Sequence, residues 1–234
     1  AWLTEARRLL SPRGTIWVIG TYHNIHRVGT IMQDLGYWLL NDVAWVKTNP
    51  MPQFKGVRFC NAFETLIWAK TSKDQKGYTF NYQSIKAGNE DVQVRSDWNI
   101  PLCNGNERLR DSEGKVHSTQ KPEALISRIL TACTNPGDIV LDPFFGSGTT
   151  GAVARKLHRD FIGIERDSKY IRAAEERISK VVPLPNEAVS GVSTAVRLKF
   201  LTLLDLGLVT PGETVYFQNR SRSAIVRADG SLYA

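Results

Sequence analysis

The residues best placed to do chemistry are Asp142-Pro143-Phe144-Phe145-Gly146-Ser147-Gly148-Thr149-Thr150, which follow a short apolar run at 138–141 and lead into a helical pattern. Glycine at such a strand-to-helix turn lets the backbone bend sharply and approach a ligand with no Cβ in the way. Glu165 ends the next apolar run, about twenty residues further on, where a carboxylate can accept hydrogen bonds from both hydroxyls of a ribose. A ligand-free turn has no use for that spaced carboxylate, so the pair points to a cofactor containing adenosine. A dinucleotide site needs G-x-G-x-x-G, whose close backbone approach and helix N-terminus suit a pyrophosphate. Here Gly146-Ser147-Gly148 is followed by Thr149-Thr150-Gly151, one residue short, and two phenylalanines precede it. Aromatic rings suit a cationic sulfonium and an adenine better, as in S-adenosylmethionine.

A second group is basic. Lys47, Lys55, Arg58 and Asn61 occupy one loop after a strand end. Arginine and lysine hold phosphates or read guanine, and asparagine can read adenine through two hydrogen bonds. The formal charge of +7 over 234 residues suits a polyanionic partner. A merely solvated basic face is the alternative reading of this loop. His23 and Asn24 follow another strand, on the side of an α/β sheet where ligands bind, whereas His26 and His158 read as ordinary surface residues. Trp98 is either a core residue or a stacking platform. The three cysteines, Cys60, Cys103 and Cys133, are widely spaced and lack the neighbours of a zinc site, so free thiols and no metal are expected.

These residues need a scaffold. Trp2, Leu3, Ala6, Leu9 and Leu10 recur at helical spacing, so the chain begins inside an amphipathic helix. Thr15-Ile16-Trp17-Val18-Ile19 reads as a buried strand, Ile25, Val28, Ile31, Met32 and Leu35 as the inner stripe of a helix, and 37–47 as a β segment. This makes a β-α-β unit, followed by the basic loop 48–61 and a strand at 63–69. Periodicity is poor over 70–117, which reads as an insertion with little regular structure. Pro122 then opens a helix carrying Leu125, Ile126, Ile129 and Leu130, and strands at 138–141 and 161–164 flank the helix that ends at 157. A last apolar stripe, Tyr170, Ile171, Ala174 and Ile178, marks one more helix. The alternation predicts an α/β fold, a doubly wound and mainly parallel sheet. Residues 183–192 read as a linker, and a helical pattern at 196–206 with strands at 214–217 and 224–226 predicts a small α+β appendix. The expected division is 1–184, with recognition loops at 48–117, and 185–234.

With these elements in place, a resemblance becomes specific. F-x-G-x-G with an acid ending the next strand is similar to the S-adenosylmethionine motif of amino-methyltransferases. His117-Ser118-Thr119-Gln120-Lys121-Pro122 resembles the H-x-T-Q-K-P stretch that precedes it in the β-type order, where the catalytic half comes first, then target recognition, then the cofactor half. Trp17-Val18-Ile19-Gly20-Thr21-Tyr22-His23-Asn24-Ile25, Asn49-Pro50-Met51-Pro52 with Phe54-Lys55-Gly56, Glu64-Thr65-Leu66-Ile67-Trp68-Ala69, and Arg95-Ser96-Asp97-Trp98 with Ile100-Pro101 resemble the cell-cycle-regulated adenine methyltransferases. The likeness spans about 1–184, and the tail, most clearly Val226-Arg227-Ala228-Asp229-Gly230, is similar to the start of that family's C-terminal DNA-binding module.

The resemblance implies methyl transfer to adenine N6 in GANTC duplexes, with the base flipped out, and dimers on DNA. It adds Thr119 and Lys121 to the cofactor residues Asp142, Phe144, Phe145, Gly146, Gly148, Thr149 and Glu165. It sets Asn49 beside the DNA with His23, Asn24, Lys55, Arg58 and Asn61. Catalysis on an extruded base needs an acceptor for the amino hydrogens and an aromatic to stack on the ring, which the family takes from D-P-P-Y. The 234 residues contain no D-P-P-Y. Asp142-Pro143-Phe144-Phe145 belongs to the cofactor turn, and Asn49-Pro50-Met51-Pro52 has no aromatic in the stacking position. The expectation is therefore that a strand and its D-P-P-Y loop precede the first helix. The other readings are cytosine-N4 methylation on the same fold, a fragment that binds cofactor or DNA without catalysis, and, further off, a nicotinamide-dependent dehydrogenase. The sequence supports neither a membrane span nor a signal peptide, so a cytoplasmic protein is expected, and the homodimer expectation comes from the resemblance alone.

Overall fold

Period-two alternation places the first strand. In the computed structural model β1 (Thr15–Gly20) turns Trp17 and Ile19 toward one apolar cluster and Ile16 and Val18 toward another, so both of its faces are covered. The structure describes residues 1–111, 114–115, 119–185, 204, 207, 209–217, 222–229 and 231–233. Ahead of β1, α1 (Trp2–Leu9) buries Leu3, whose carbonyl accepts the Tyr37 hydroxyl at 2.8 Å. After it, α2 (Ile25–Asp34) buries Ile25, Gly29 and Met32. Gly36, at φ 81°, then turns the chain into β2 (Trp38–Val46).

β3 (Phe63–Lys70) lies between β1 and β2 and runs antiparallel to both. Hence β1 and β2 point the same way, as a β-α-β unit requires, but they are not neighbours. Leu66, Ile67, Trp68 and Ala69 of β3 are all buried, as expected for a strand covered on both faces.

The stretch at 70–117 holds more regular structure than its periodicity predicts. It contains α3 (Tyr82–Ala87), β4 (Asp97–Asn99), a 3-10 turn at Gly105–Glu107, and the short pair β5 (Arg110–Asp111) and β6 (Gly114–Lys115). β4 adds to the sheet beside β2, in parallel, and gives the order β1-β3-β2-β4. Three residues are too few to show a period. Trp98, in β4, is a core residue: it is 6% exposed and its indole N–H donates to the Arg95 carbonyl at 2.8 Å.

The second half is α4 (Glu123–Cys133), β7 (Ile139–Asp142), α5 (Thr149–Lys156), β8 (Asp160–Gly163) and α6 (Ser168–Ser179). β7 and β8 pair in parallel around α5. One core joins the halves, with Val43, Trp45, Leu66 and Trp98 from the first sheet packed with Leu125, Ile129 and Leu130 of α4 and Val153 and Ala154 of α5.

The chain divides into two compact units, Ala1–Gly191 and Val192–Ala234. Most of the expected linker and nearly all of the helical pattern at 196–206 lie outside the described residues. The second unit contains an antiparallel sheet of β9 (Thr214–Phe217), β10 (Arg222–Val226) and β11 (Leu232–Tyr233), in the order β11-β10-β9. Ala224 and Val226 are buried, and the Arg227 guanidinium sits over the Tyr233 ring at 4.7 Å.

Trp45 is 1% exposed and its indole N–H donates to the Ile100 carbonyl at 2.7 Å, tying β2 to the segment after β4. Trp45→Ala is expected to cost about 3–5 kcal/mol through the cavity. Trp45→Phe keeps most of the bulk but orphans that carbonyl, at about 1–3 kcal/mol. Urea denaturation measures both, and an unchanged midpoint for Trp45→Phe would remove the bond from this account.

Candidate cofactor and nucleic-acid site

The turn after β7 is fixed by its own side chains. Asp142 Oδ1 accepts the Phe144 amide at 3.0 Å and Oδ2 accepts the Thr150 hydroxyl at 2.6 Å, so one carboxylate spans the turn. Gly148 has φ 73°, and a Cβ there would lie 2.7 Å from the Ala174 Cβ, which restricts the position to glycine on two counts. Phe145 points inward and stacks on Phe161 at 5.8 Å. It fills the space left by Gly151 and Gly163, where a Cβ would meet its ring at 2.6 and 2.5 Å. Phe144 is 67% exposed, with its ring edge-on to Trp2 at 5.3 Å. Of the two phenylalanines, Phe145 supports the turn and Phe144 offers a ring to solvent.

Glu165 closes this arrangement. Its carboxylate accepts the amides of Gly146 (2.9 Å), Arg166 (2.8 Å) and Asp167 (2.9 Å). The Asp167 amide, then those of Gly146 and Arg166, hold the carboxyl below its ordinary value, against the opposing effect of burial. A carboxylate has about four acceptor sites, so one remains on the oxygen that Gly146 shares. An anionic acceptor bonded to a turn that lacks Cβ atoms at Gly146 and Gly148 fits the ribose end of an adenosine cofactor.

The glycine turn and the basic loop meet at one end of the scaffold through buried charges. The Thr149 hydroxyl donates to the Lys121 carbonyl at 3.3 Å and accepts from Arg177 at 2.8 Å. Lys121 Nζ donates to the Thr119 carbonyl at 3.2 Å and lies 4.0 Å from Glu64, whose other oxygen pairs with Lys47 at 3.0 Å. Lys47 directly follows β2 and Glu64 lies near the start of β3, so this carboxylate closes the base of the loop between them. Burial holds the Lys121 amine below the ordinary lysine value, Glu64 opposes this, and Lys47 and Arg108 reinforce it.

Lys47 was expected on the loop surface for DNA contact. It is instead buried and paired, because its ammonium lies over the Trp45 ring, 5.8 Å from its centroid, and reaches Glu64 at 3.0 Å. Lys55 and Asn61 are exposed. Arg58 donates to the Tyr22 hydroxyl at 3.0 Å, and the Tyr22 ring lies 4.1 Å from that of His23, so the loop and the turn before α2 are joined. His23 and Asn24 are exposed there. Asn49 Oδ1 accepts the Leu102 amide at 2.6 Å, a structural tie. Thr119 is exposed, while His117 and Ser118 lie outside the described residues. His26 is exposed, but His158 sits in a left-handed turn, φ 58°, with its ring bonded to the Leu184 carbonyl at 2.6 Å. Sequence reasoning missed Tyr22 and Glu64 as contributors. A carboxylate inside the otherwise apolar run at 63–69 was the available signal for Glu64.

A parallel strand, glycine turn, helix, strand and terminal acid sharing a core with a mixed sheet define the methyltransferase class of α/β fold. The chain belongs to the N6/N4 family described as DNA methylase, whose profile matches residues 1–176. It is 48% identical to the Type II methyltransferase M.HinfI of Haemophilus influenzae over 234 residues, 99% of this chain and 65% of that protein. It is 41% identical over 179 residues to the Type II methyltransferase M2.LlaDCHI of Lactococcus lactis subsp. cremoris, 76% of this chain and again 65% of the relative. The matches thus span just under two thirds of the length of these relatives. Among solved structures, the M1.HpyAVI complex with SAM is 31% identical with a TM-score of 0.64, covering 76% of this chain and 80% of that one. The PvuII cytosine-N4-specific DNA methyltransferase shares the fold at 21% identity, with a TM-score of 0.64 over 79% of this chain and 69% of its own.

Two outcomes are expected here. Glu64→Gln leaves two ammonium groups without a counter-charge, and a buried pair broken on one side costs about 3–5 kcal/mol. Adding Lys47→Met should recover part of that loss in urea denaturation, and no recovery would refute the charge explanation. Because the Glu165 value is depressed in the folded state, its bonds add stability above the ordinary glutamate range. That contribution is lost as pH falls through the depressed value. Glu165→Gln should flatten the acid arm of a stability-versus-pH curve, and an unaltered arm would count against this assignment.

Proposed function

We propose that this chain forms the cofactor-binding and target-recognition parts of a DNA methyltransferase that uses S-adenosylmethionine to methylate adenine N6 in duplex DNA, with GANTC as its site. The observation that carries the reading is the link from the glycine turn through Lys121, Glu64 and Lys47 to a loop, 48–62, that has basic residues and no acidic ones.

S-adenosylmethionine supplies a methyl group made electrophilic by the sulfonium. In this reading Glu165 takes the ribose hydroxyls, the backbone at Gly146 and Gly148 allows close approach, and Phe144 offers its ring to the cation or the adenine. Asp142, Phe145 and Thr149 hold the turn in shape. Thr119 and Lys121 join this site through the bond between the Lys121 carbonyl and Thr149, and an ammonium there suits a carboxylate. Lys55 and Arg58 hold phosphates or read guanine, Asn61 reads adenine, and His23, Asn24 and Asn49 flank them. Residues 48–117 serve recognition, and the tail after the methyltransferase domain adds to DNA binding.

The acceptor and the stacking ring for the extruded base do not come from the two D-P-P-Y-like stretches. The Asp142 carboxylate is engaged by Phe144 and Thr150, and the Asn49 side-chain oxygen by Leu102. The reading assigns neither role to a residue among these 234. It also includes action as a homodimer on DNA in the bacterial cytoplasm. Cytosine-N4 methylation is the second reading, because the fold shared with the PvuII enzyme accommodates that chemistry as well.

S-adenosylmethionine should bind the purified protein in equilibrium dialysis. Glu165→Ala should weaken binding about tenfold or more, as the charge-assisted bonding to the ribose is lost. Binding unaffected by that change would refute the cofactor site. The complete protein, given a GANTC duplex, should yield N6-methyladenine on nucleoside digestion. N4-methylcytosine would establish the second reading, and methylation confined to an unrelated site would overturn the specificity.

A further inference from the structure

The loop between β2 and β3 carries an unusual set of apolar side chains. Phe59 is 97% exposed, Phe54 84%, Val57 77% and Met51 64%, all within nine residues. Soluble chains rarely leave so many large apolar groups together in water unless they contact something. Lys55 and Arg58 interleave with them, and positions 48–62 hold no Asp or Glu.

The rings are displayed by fixed backbone. The Gly56 amide bonds the Gln53 carbonyl at 3.1 Å, and Gly56 has φ 62°, which makes a tight turn that presents Phe54. Phe59 sits between two anchors, Arg58 bonded to the Tyr22 hydroxyl at 3.0 Å and Cys60 bonded through Sγ to the Met51 carbonyl at 3.0 Å. Its ring thus projects from a tethered stretch of loop. The Lys47–Glu64 pair closes the same loop at its base.

We infer that Phe59 is a wedge that enters the base stack of duplex DNA, with Phe54 and Val57 beside it, while Lys55 and Arg58 hold the flanking phosphates. Apolar wedges of this kind partly unstack a base step and hold it open, and an aromatic ring replaces part of the stacking that the step loses. The absence of acidic residues commits the face to a polyanion rather than to a second copy of this basic chain. The inference rests on the DNA-methyltransferase reading, and adds to it the residue that opens the duplex.

The test compares the complete protein with its Phe59→Ala and Phe59→Trp variants. Three readouts are taken: affinity for a short GANTC duplex, affinity for the same duplex with a mismatch at the target pair, and fluorescence of 2-aminopurine beside the target. The ring is exposed, so Phe59→Ala should leave folding and S-adenosylmethionine binding unchanged. It should weaken binding to the intact duplex about five- to 150-fold, the range for one lost stacking platform. The loss should be smaller on the mismatched duplex, where unstacking is already favoured, and the 2-aminopurine signal should no longer rise. Phe59→Trp should keep both binding and signal. Equal losses on both duplexes, or wild-type binding and signal in Phe59→Ala, would overturn the wedge. So would a change of oligomeric state in Phe59→Ala, which would make the patch a self-association surface. Failure of the wild-type protein to bind any duplex would instead refute the underlying function, a result separate from the others.

Discussion

Glu64 holds together parts of the molecule that are far apart in sequence. Its carboxylate lies between the ammonium groups of Lys47 and Lys121, one from the end of β2 and the other from the segment that touches the cofactor turn. Lys47 and Glu64, 7% and 13% exposed, form the close pair, and Lys121, 28% exposed and 4.0 Å from the same carboxylate, adds a looser contact. The set therefore ties the start of the basic loop to the segment that touches the glycine turn.

Around that junction the two halves use different means of rigidity. The cofactor turn is self-contained: Asp142 spans it, Phe145 fills the hollow left by two glycines, and Glu165 gathers three amides. The basic loop is held at its base and by Tyr22, Leu102 and the Met51 carbonyl. A turn fixed by its own side chains and a loop held at its base and by three tethers thus share one core of Trp45, Leu66, Leu125 and Val153.

Much of this was legible in the residues. The apolar run at 15–19, the stripes of α2 and α4 and the glycine turn with its spaced acid each carry a local period or a chemical reason, and they appear where those reasons place them. The sheet order was not legible. That β3 inserts between β1 and β2 depends on pairing between distant segments, and β4 was hidden because three residues have no period. Lys47 misled for a related reason. A lysine next to a loop reads as surface until Glu64, seventeen positions on, is seen to face it. Trp98 could be read either way until β4 was found to turn it into the core.

The way Glu165 is satisfied has a consequence for discrimination. Its carboxylate already accepts three backbone amides, so one of two ribose hydroxyls would find the open acceptor site and the other would exchange with an amide. A site that leaves a polar group orphaned rejects an analogue lacking the matching hydroxyl very strongly. Here the carboxylate falls back on Gly146 when a hydroxyl is missing, so the turn tolerates a deoxy-sugar better than an open site would. Under the proposed reading, selectivity among nucleosides then depends also on shape and charge elsewhere around the turn.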